Sequence, residues 1–413
     1  MPNSWIRLTL LYLLVTAAAG VLMRSMALVT IPAVHYENIL HAHSHLALLG
    51  WGYMALFLLF LALFFKESER LKSQIKLLAR LTQLTAAGMF IAFCLQGYAL
   101  FSIILSTIQI LLSYWFVILF WRHLRLEASA KRGEKKLSSM FAKGSLICLV
   151  VSSIGPWCLA VLSANDLKDS PLYETAIYFY LHFQYNGWFT LGLLAVLLRI
   201  LENKGIHLAN SLTKLQYGLY AGSLLPAFLL SVLWIRMDLI WHMVAAAAGI
   251  VQWVATVLLC MILYRVRHQL GTVFHGWAQI LFVLAMAIIL MKATMELGVI
   301  VPELSGMIYH SRSIVIGYLH LVLLGFVSFM CLSLFLQQGW LSQTRRVVQL
   351  GYGLFIVFFA VNEGVLFLQG LFEWVGRDTL AYGRQWLWLA SVGMMVGIGL
   401  FGGSSPIDDK RIA

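Results

Sequence analysis

His41-Ala42-His43-Ser44-His45-Leu46-Ala47-Leu48-Leu49-Gly50-Trp51 sets three alternating histidines at the head of a long apolar run. Its last histidine has two counterparts. One lies in Tyr180-Leu181-His182-Phe183-Gln184-Tyr185-Asn186-Gly187-Trp188, the other in Tyr318-Leu319-His320-Leu321-Val322-Leu323-Leu324-Gly325-Phe326. His45 and His182 are 137 positions apart, and His182 and His320 are 138 apart. Each is followed by Gly at i+5 and an aromatic at i+6. A recurrence at fixed period reads as one unit used three times.

The surrounding composition is that of a membrane protein. The 413 residues are 61% hydrophobic and 11% charged, with mean hydropathy +0.85. A soluble chain carries about 25% charged residues. A spanning helix needs about 20 apolar residues, so there is room for about a dozen. The formal charge of +12 does not point to nucleic acid, because Lys and Arg collect in alternate loops and so set orientation. Contact with anionic lipid is the ordinary consequence. The five cysteines all sit in apolar runs and form no CxxC, which suits small buried hydrophobes. Without C-x-x-C-H, covalent haem attachment is unsupported.

The runs predict an all-α, polytopic fold with twelve spans, at about 8–30, 43–65, 77–96, 100–121, 144–163, 176–198, 215–235, 239–263, 275–295, 312–336, 347–370 and 385–402. The first is read as a retained helix, although Ala17-Ala18-Ala19 resembles a cleavage site. Residues 31–42, with Pro32, His35 and Glu37, read as an outer loop. Pro156 predicts a kink in the fifth span. The basic loops 66–76 and 122–143 read as cytoplasmic, 164–175 and 372–384 as external, and 404–413 as a cytoplasmic tail. Inner segments then hold 22 of the 29 Lys and Arg. Gln83, Gln216 and Gln349, spaced 133 and 133, mark a second series. Three pseudo-symmetric four-helix units follow, at 8–121, 144–263 and 275–402, each with its marked histidine on the second helix.

Imidazole is a common ligand of iron, copper and zinc, and polar groups inside a membrane bundle are costly and often functional. His45, His182 and His320 enter from the outer side at one depth and are the leading metal ligands. The alternative is interhelical hydrogen bonding inherited from a duplicated unit. If the helix includes His41, then His41 and His45 share a face at i,i+4 and His43 points elsewhere. A copper or zinc cluster of His41 and His45, with His35 nearby, is a second arrangement. Asn186, i+4 from His182, would line the same cavity. Lys292 and Glu296, also i,i+4, read as an ion pair, with a propionate contact for Lys292 as the alternative. Glu363 is a candidate for proton transfer or ligation. Arg312 would pair a carboxylate or a haem propionate. Arg236, Asp238 and His242 mark an outer mouth, and motifs of soluble catalysis are absent.

On these residues the chain resembles the catalytic subunits of haem–copper oxidases and nitric oxide reductases, and the related NnrS-like membrane proteins. That resemblance implies twelve helices in three arcs. It places the helix-two haem ligand on His45, with His43 as the alternative, the helix-six copper ligand on His182, and an axial haem ligand on His320. His43-Ser44-His45-Leu46-Ala47-Leu48-Leu49-Gly50 also looks like that family's helix-ten segment, here in helix two. The chain departs from the pattern in three places. Helix ten has no second histidine two residues from His320, helix seven has none, and helix six offers His182-x-x-x-Asn186.

The expectation is one haem b between helices two and ten, with an incomplete copper ligand set around His182. The implied function is a membrane redox or small-ligand-binding protein. If enzymatic, it is an oxidoreductase acting on nitric oxide or oxygen, with a gaseous ligand and an electron donor or companion membrane subunit as partners. The implied location is a bacterial inner membrane, with both termini cytoplasmic. The alternatives are a non-catalytic haem or metal protein of nitric oxide stress or metallocentre assembly, and a transporter.

Overall fold

A computed structural model describes residues 3–65, 69–130, 136–377 and 380–403. The apolar runs become long helices: α1 Asn3–Met26, α2 Tyr36–Phe64, α3 Glu69–Gln96, α4 Leu100–Ala130, α5 Leu137–Ala164, α6 171–203, α7 Asn210–Val232, α8 Leu239–Arg265, α9 Trp277–Gly298, α10 Arg312–Gln337, α11 Arg346–Trp374 and α12 Gly383–Gly402. Among the described residues, eleven helices are long and apolar enough to cross a membrane. The long helix outside that set is α6, where His182, Gln184 and Asn186 interrupt the apolar run.

Large apolar side chains face outward, and the buried residues include polar side chains among an apolar core. Leu84 and Leu95 are 69% and 78% exposed, whereas Gln216 and Asn186 are fully buried. Small residues bring helices together. A Cβ on Gly397 of α12 would lie 2.7 Å from the Gly351 carbonyl oxygen of α11, and one on Gly351 would lie 2.8 Å from that of Gly397.

Several helices outrun their apolar cores. α2 begins at Tyr36, so residues 36–42, expected as loop, are helical and include His41. Glu37 in its first turn favours that start by facing the positive end of the helix dipole. α4 continues to Ala130 and α5 starts at Leu137, so the expected loop 122–143 is largely helix. The tail 404–413 lies outside the described residues. α5 breaks at Ser153, between Leu137–Ser152 and Ile154–Ala164, because the Pro156 ring meets the carbonyl four residues back. A short helix, Pro302–His310, precedes α10 and carries Pro at its first turn, where a missing N–H costs nothing.

In three helices the residues after the marked histidines leave the α-helical pattern. Leu46–Gly52, Phe183–Phe189 and Leu321–Val327 are seven-residue π-helices, each starting one residue after His45, His182 or His320. π-Segments are rare and gather at functional sites. Two carry matching hydroxyls at their exits: Thr190 Oγ1 donates to the Tyr185 carbonyl at 2.7 Å and Ser328 Oγ to that of Leu323 at 2.9 Å. Each reaches back five residues. Downstream, residues 50–61, 182–201 and 325–336 are buried without interruption.

Two compact units form. The first comprises Met1–Trp115, Phe274–Phe282 and Ser313–Ala413, and the second Phe116–Val273 and Val283–Arg312. The first therefore holds α1–α3 and nearly all of α10, with α11 and α12. The second holds α5–α8 and most of α9. Within the first, the π-segments of α2 and α10 pack together, and Trp51 Nε1 donates to Ser328 Oγ at 2.8 Å.

Candidate functional site

The first unit separates the HxHxH histidines onto two sides of α2. His41 and His45 face Phe93 and Tyr98, with His45 4.2 Å from the Phe93 ring and His41 4.5 Å from that of Tyr98. His43 turns toward α1, where its Nδ1 lies 2.9 Å from the Thr16 carbonyl oxygen. Gly20 leaves the room, since a Cβ there would meet His43 Cε1 at 3.4 Å. A carbonyl can only accept, so Nδ1 carries the proton and Nε2 keeps its lone pair. His45 is fixed likewise, with Nδ1 2.9 Å from the His41 carbonyl oxygen and Nε2 3.4 Å from the Tyr98 hydroxyl.

His320 on α10 belongs with His43. His43 and Arg24 are its electrostatic neighbours. Its Nδ1 is sealed from solvent with no hydrogen-bond partner. Glu363 on α11 also has Arg24 as a neighbour. Its Oε1 accepts from Asn362 Nδ2 at 2.9 Å, while Oε2 is buried without a partner. Trp388 of α12 ties down the end of α1 by donating to Ser25 Oγ at 2.9 Å. The site thus assembles His43, His320, Glu363 and Arg24 from four helices. Arg24 escaped the sequence reading although it is a charge inside an apolar run, which is itself the signal.

His182, in the second unit, sits in a continuous polar chain. The origin is local. α7 passes Pro226 and tightens into a 3₁₀ turn at Phe228–Val232, so the Phe228 N–H bonds back to Leu225 instead of Leu224. The Leu224 carbonyl is left without its helical donor, and His182 Nε2–H supplies one at 2.8 Å. His182 Nδ1 must then accept, and Asn186 Nδ2 donates to it at 3.1 Å. Asn186 Oδ1 accepts from Lys292 Nζ of α9, which also pairs with Glu296 Oε2 at 2.8 Å. Both nitrogens of His182 are therefore engaged, and Lys292 is held within the protein by Asn186 and Glu296.

The other marked residues are more scattered. Arg312 is exposed at the first residue of α10. The Gln series shares no role: Gln83 and Gln216 are buried, whereas Gln349 donates to the Gln343 carbonyl at 3.0 Å. At the end of α7, Leu229, Arg236, Met237, Asp238 and Trp241 line a shallow, open depression of about 530 Å³. Beside it, Tyr309 stacks on Trp234 at 4.0 Å and donates to Glu174. Loss of hydration and that carboxylate push its phenol up to about 12, so it stays protonated.

Among the described residues, no three or more His, Cys, Asp and Glu side chains gather to hold a metal ion. Haem iron asks less, since one or two imidazoles from the protein suffice. No protein-family model and no curated protein matches the chain, so the likeness to the oxidases rests on the residues quoted above.

Proposed function

We propose that this polytopic membrane protein binds a non-covalent haem b between α2 and α10 and serves as an electron carrier or small-ligand-binding protein of the haem–copper oxidase type. One observation carries the reading. His320 has no hydrogen-bond partner on its buried Nδ1, and its neighbour His43 is held in the tautomer that leaves Nε2 able to bind metal. A ring N–H donated to a carbonyl is the usual outer support of a metal-binding histidine. His45 has the same kind of support from the His41 carbonyl, so it is the proximity of His43 to His320 that makes His43 the preferred partner.

Bound haem iron would supply one-electron transfer or a position for a small gas. The protein's own groups have distinct tasks. The Thr16 carbonyl orients His43. Arg24 offsets negative charge near His320 and Glu363, and the Glu363–Asn362 pair offers a place for a proton inside the bundle. The filled hydrogen-bond positions of His182 argue for a haem protein without a copper partner. The same proposal takes α6 as a twelfth span and the three π-segments as equivalent points of three duplicated four-helix units. It places both termini on the cytoplasmic side of a bacterial inner membrane, as the loop charges favour.

The test is the reduced-minus-oxidised spectrum of protein made with ample haem. Wild type should show a b-type signal. His43→Ala and His320→Ala should abolish or strongly alter it in folded protein, and His182→Ala should leave it intact. A folded wild type without haem would end the proposal, as would normal spectra in both variants.

A further inference from the structure

A second set of groups on α2 takes no part in that site. Glu37, His41 and His45 follow at i, i+4 and i+8 and so run along one face of the helix. The two imidazoles share one aromatic notch. His41 lies 4.5 Å from Tyr98 and 6.1 Å from Phe93, and His45 lies 4.2 Å from Phe93 and 5.8 Å from Tyr98. Phe93 closes the inner end and is fully buried, while Tyr98 is 54% exposed and leaves the outer end open.

The notch is built by the turn between α3 and α4. Gly97 adopts φ +61°, and a Cβ there would meet Asn38 Oδ1 at 2.5 Å. That position tolerates only glycine, for both space and conformation. Asn38 thereby holds the turn against the first turns of α2, with Tyr98 over both histidines. The nitrogen inventory is favourable. His45 donates Nδ1–H to the His41 carbonyl, which leaves the Nε2 lone pair facing the notch. The Tyr98 hydroxyl, at 3.4 Å, is too far for a strong O–H···N bond and is easily displaced. The His41 imidazole makes ring contacts with Phe93 and Tyr98 and feels the charge of Glu37.

We propose that His41 and His45 form a two-imidazole site at one end of α2 that binds a copper(II) or zinc(II) ion, with water completing the coordination. Two imidazoles one turn apart suit both ions, and copper(II) binds such sites more tightly than zinc(II). Glu37, a turn nearer the open end, adds a carboxylate that raises the local cation concentration. The site is separate from the haem reading and does not rest on it. It does require His45 to be off the iron.

Metal-free, full-length protein in detergent is titrated with copper(II) alone, and paramagnetic resonance is read for nitrogen coupling. One copper per chain with two nitrogen couplings is expected. His41→Gln and His45→Gln should each weaken binding by about 10–100-fold, the loss that even outer-shell partners of metal sites produce. His242→Ala, in the second unit, should bind as wild type does. Copper(II) should displace zinc(II) bound beforehand to wild type. His41→Gln changes a half-exposed side chain, so it remains informative even if the His45 variant fails to fold. Unchanged nitrogen coupling and affinity in His41→Gln would overturn the site. Loss of the haem spectrum in His45→Gln with a normal spectrum in His43→Ala would also overturn it, because His45 would then be the iron ligand.

Discussion

Replacing Lys292 by Met removes the ammonium that joins Asn186 to Glu296 inside the second unit. Lys292 is 5% exposed, and the ion pair to Glu296 spans 2.8 Å. At an effective dielectric of about 20, two unit charges even 4 Å apart attract by about 4 kcal/mol. The net value of the pair is smaller, because both charges were taken out of water. Breaking the pair differs from never having it. The variant takes the ammonium away from Glu296 and strands Asn186 Oδ1, and removing one partner of a buried pair costs about 3–5 kcal/mol. Partial exposure of Glu296 favours the lower end.

The double variant Lys292→Met/Glu296→Leu removes both charges and should lie within about 1–2 kcal/mol of wild type, since apolar replacement of a buried pair is often nearly neutral. The remaining loss is the unsatisfied Asn186. The two changes should therefore couple by about 2 kcal/mol, well beyond the few tenths expected of independent sites. Reversible unfolding in mixed micelles, followed by far-ultraviolet circular dichroism, measures all four corners of the cycle. A Lys292→Met cost below about 1 kcal/mol, or costs that simply add, would refute a charge-paired network here.

Other outcomes follow from single contacts. Gly397→Ala should destabilise by about 1–3 kcal/mol, because its Cβ meets backbone of α11. Thr190→Val should cost about 1 kcal/mol by freeing the Tyr185 carbonyl that its hydroxyl holds, read in the same micelle titration. Tyr309→Phe should lower stability by an amount that is constant between about pH 6 and pH 9: a phenol raised from about 10 to about 12 contributes fully below the lower value, and loses that contribution as pH rises through the upper. In a Cys158→Ala background, which removes the exposed thiol, Asp169→Cys should label from outside intact cells and Lys204→Cys only after permeabilisation.

Span positions were legible because length and apolarity decide them. α8, expected at 239–263, runs Leu239–Arg265, and α10, expected at 312–336, runs Arg312–Gln337. The break at Pro156 was equally visible, since proline has one dominant effect inside a helix. Helix ends were harder. Charged and polar residues such as those at 36–42 and 122–130 continue a helix past the apolar segment without leaving a hydropathy mark. The π-segments were invisible for a related reason: one extra residue per turn rephases a helix without changing its composition. The glutamine spacing carries less about contacts: Gln349 reaches a nearby loop carbonyl, while Gln216 is enclosed.

The three marked histidines show where a repeat stops being informative. Each is followed at once by a π-segment, so the recurring sequence pattern has a local structural counterpart at each imidazole. Its chemistry depends on how many of its two nitrogens the neighbours occupy. At His182 both are taken, one by a carbonyl that the 3₁₀ turn after Pro226 sets free, the other by Asn186. At His45 one is held by its own helix, and a weakly placed hydroxyl faces the other. At His320 the buried Nδ1 is unpartnered. An isolated polar nitrogen in a bundle is expensive, so a fold that leaves one there needs a compensating interaction. The residues supplying the difference lie far away in the chain: Thr16 and Arg24 on α1, Pro226 on α7, Tyr98 in the turn. None belongs to the repeated motif, which is why equal spacing alone ranked the three histidines alike.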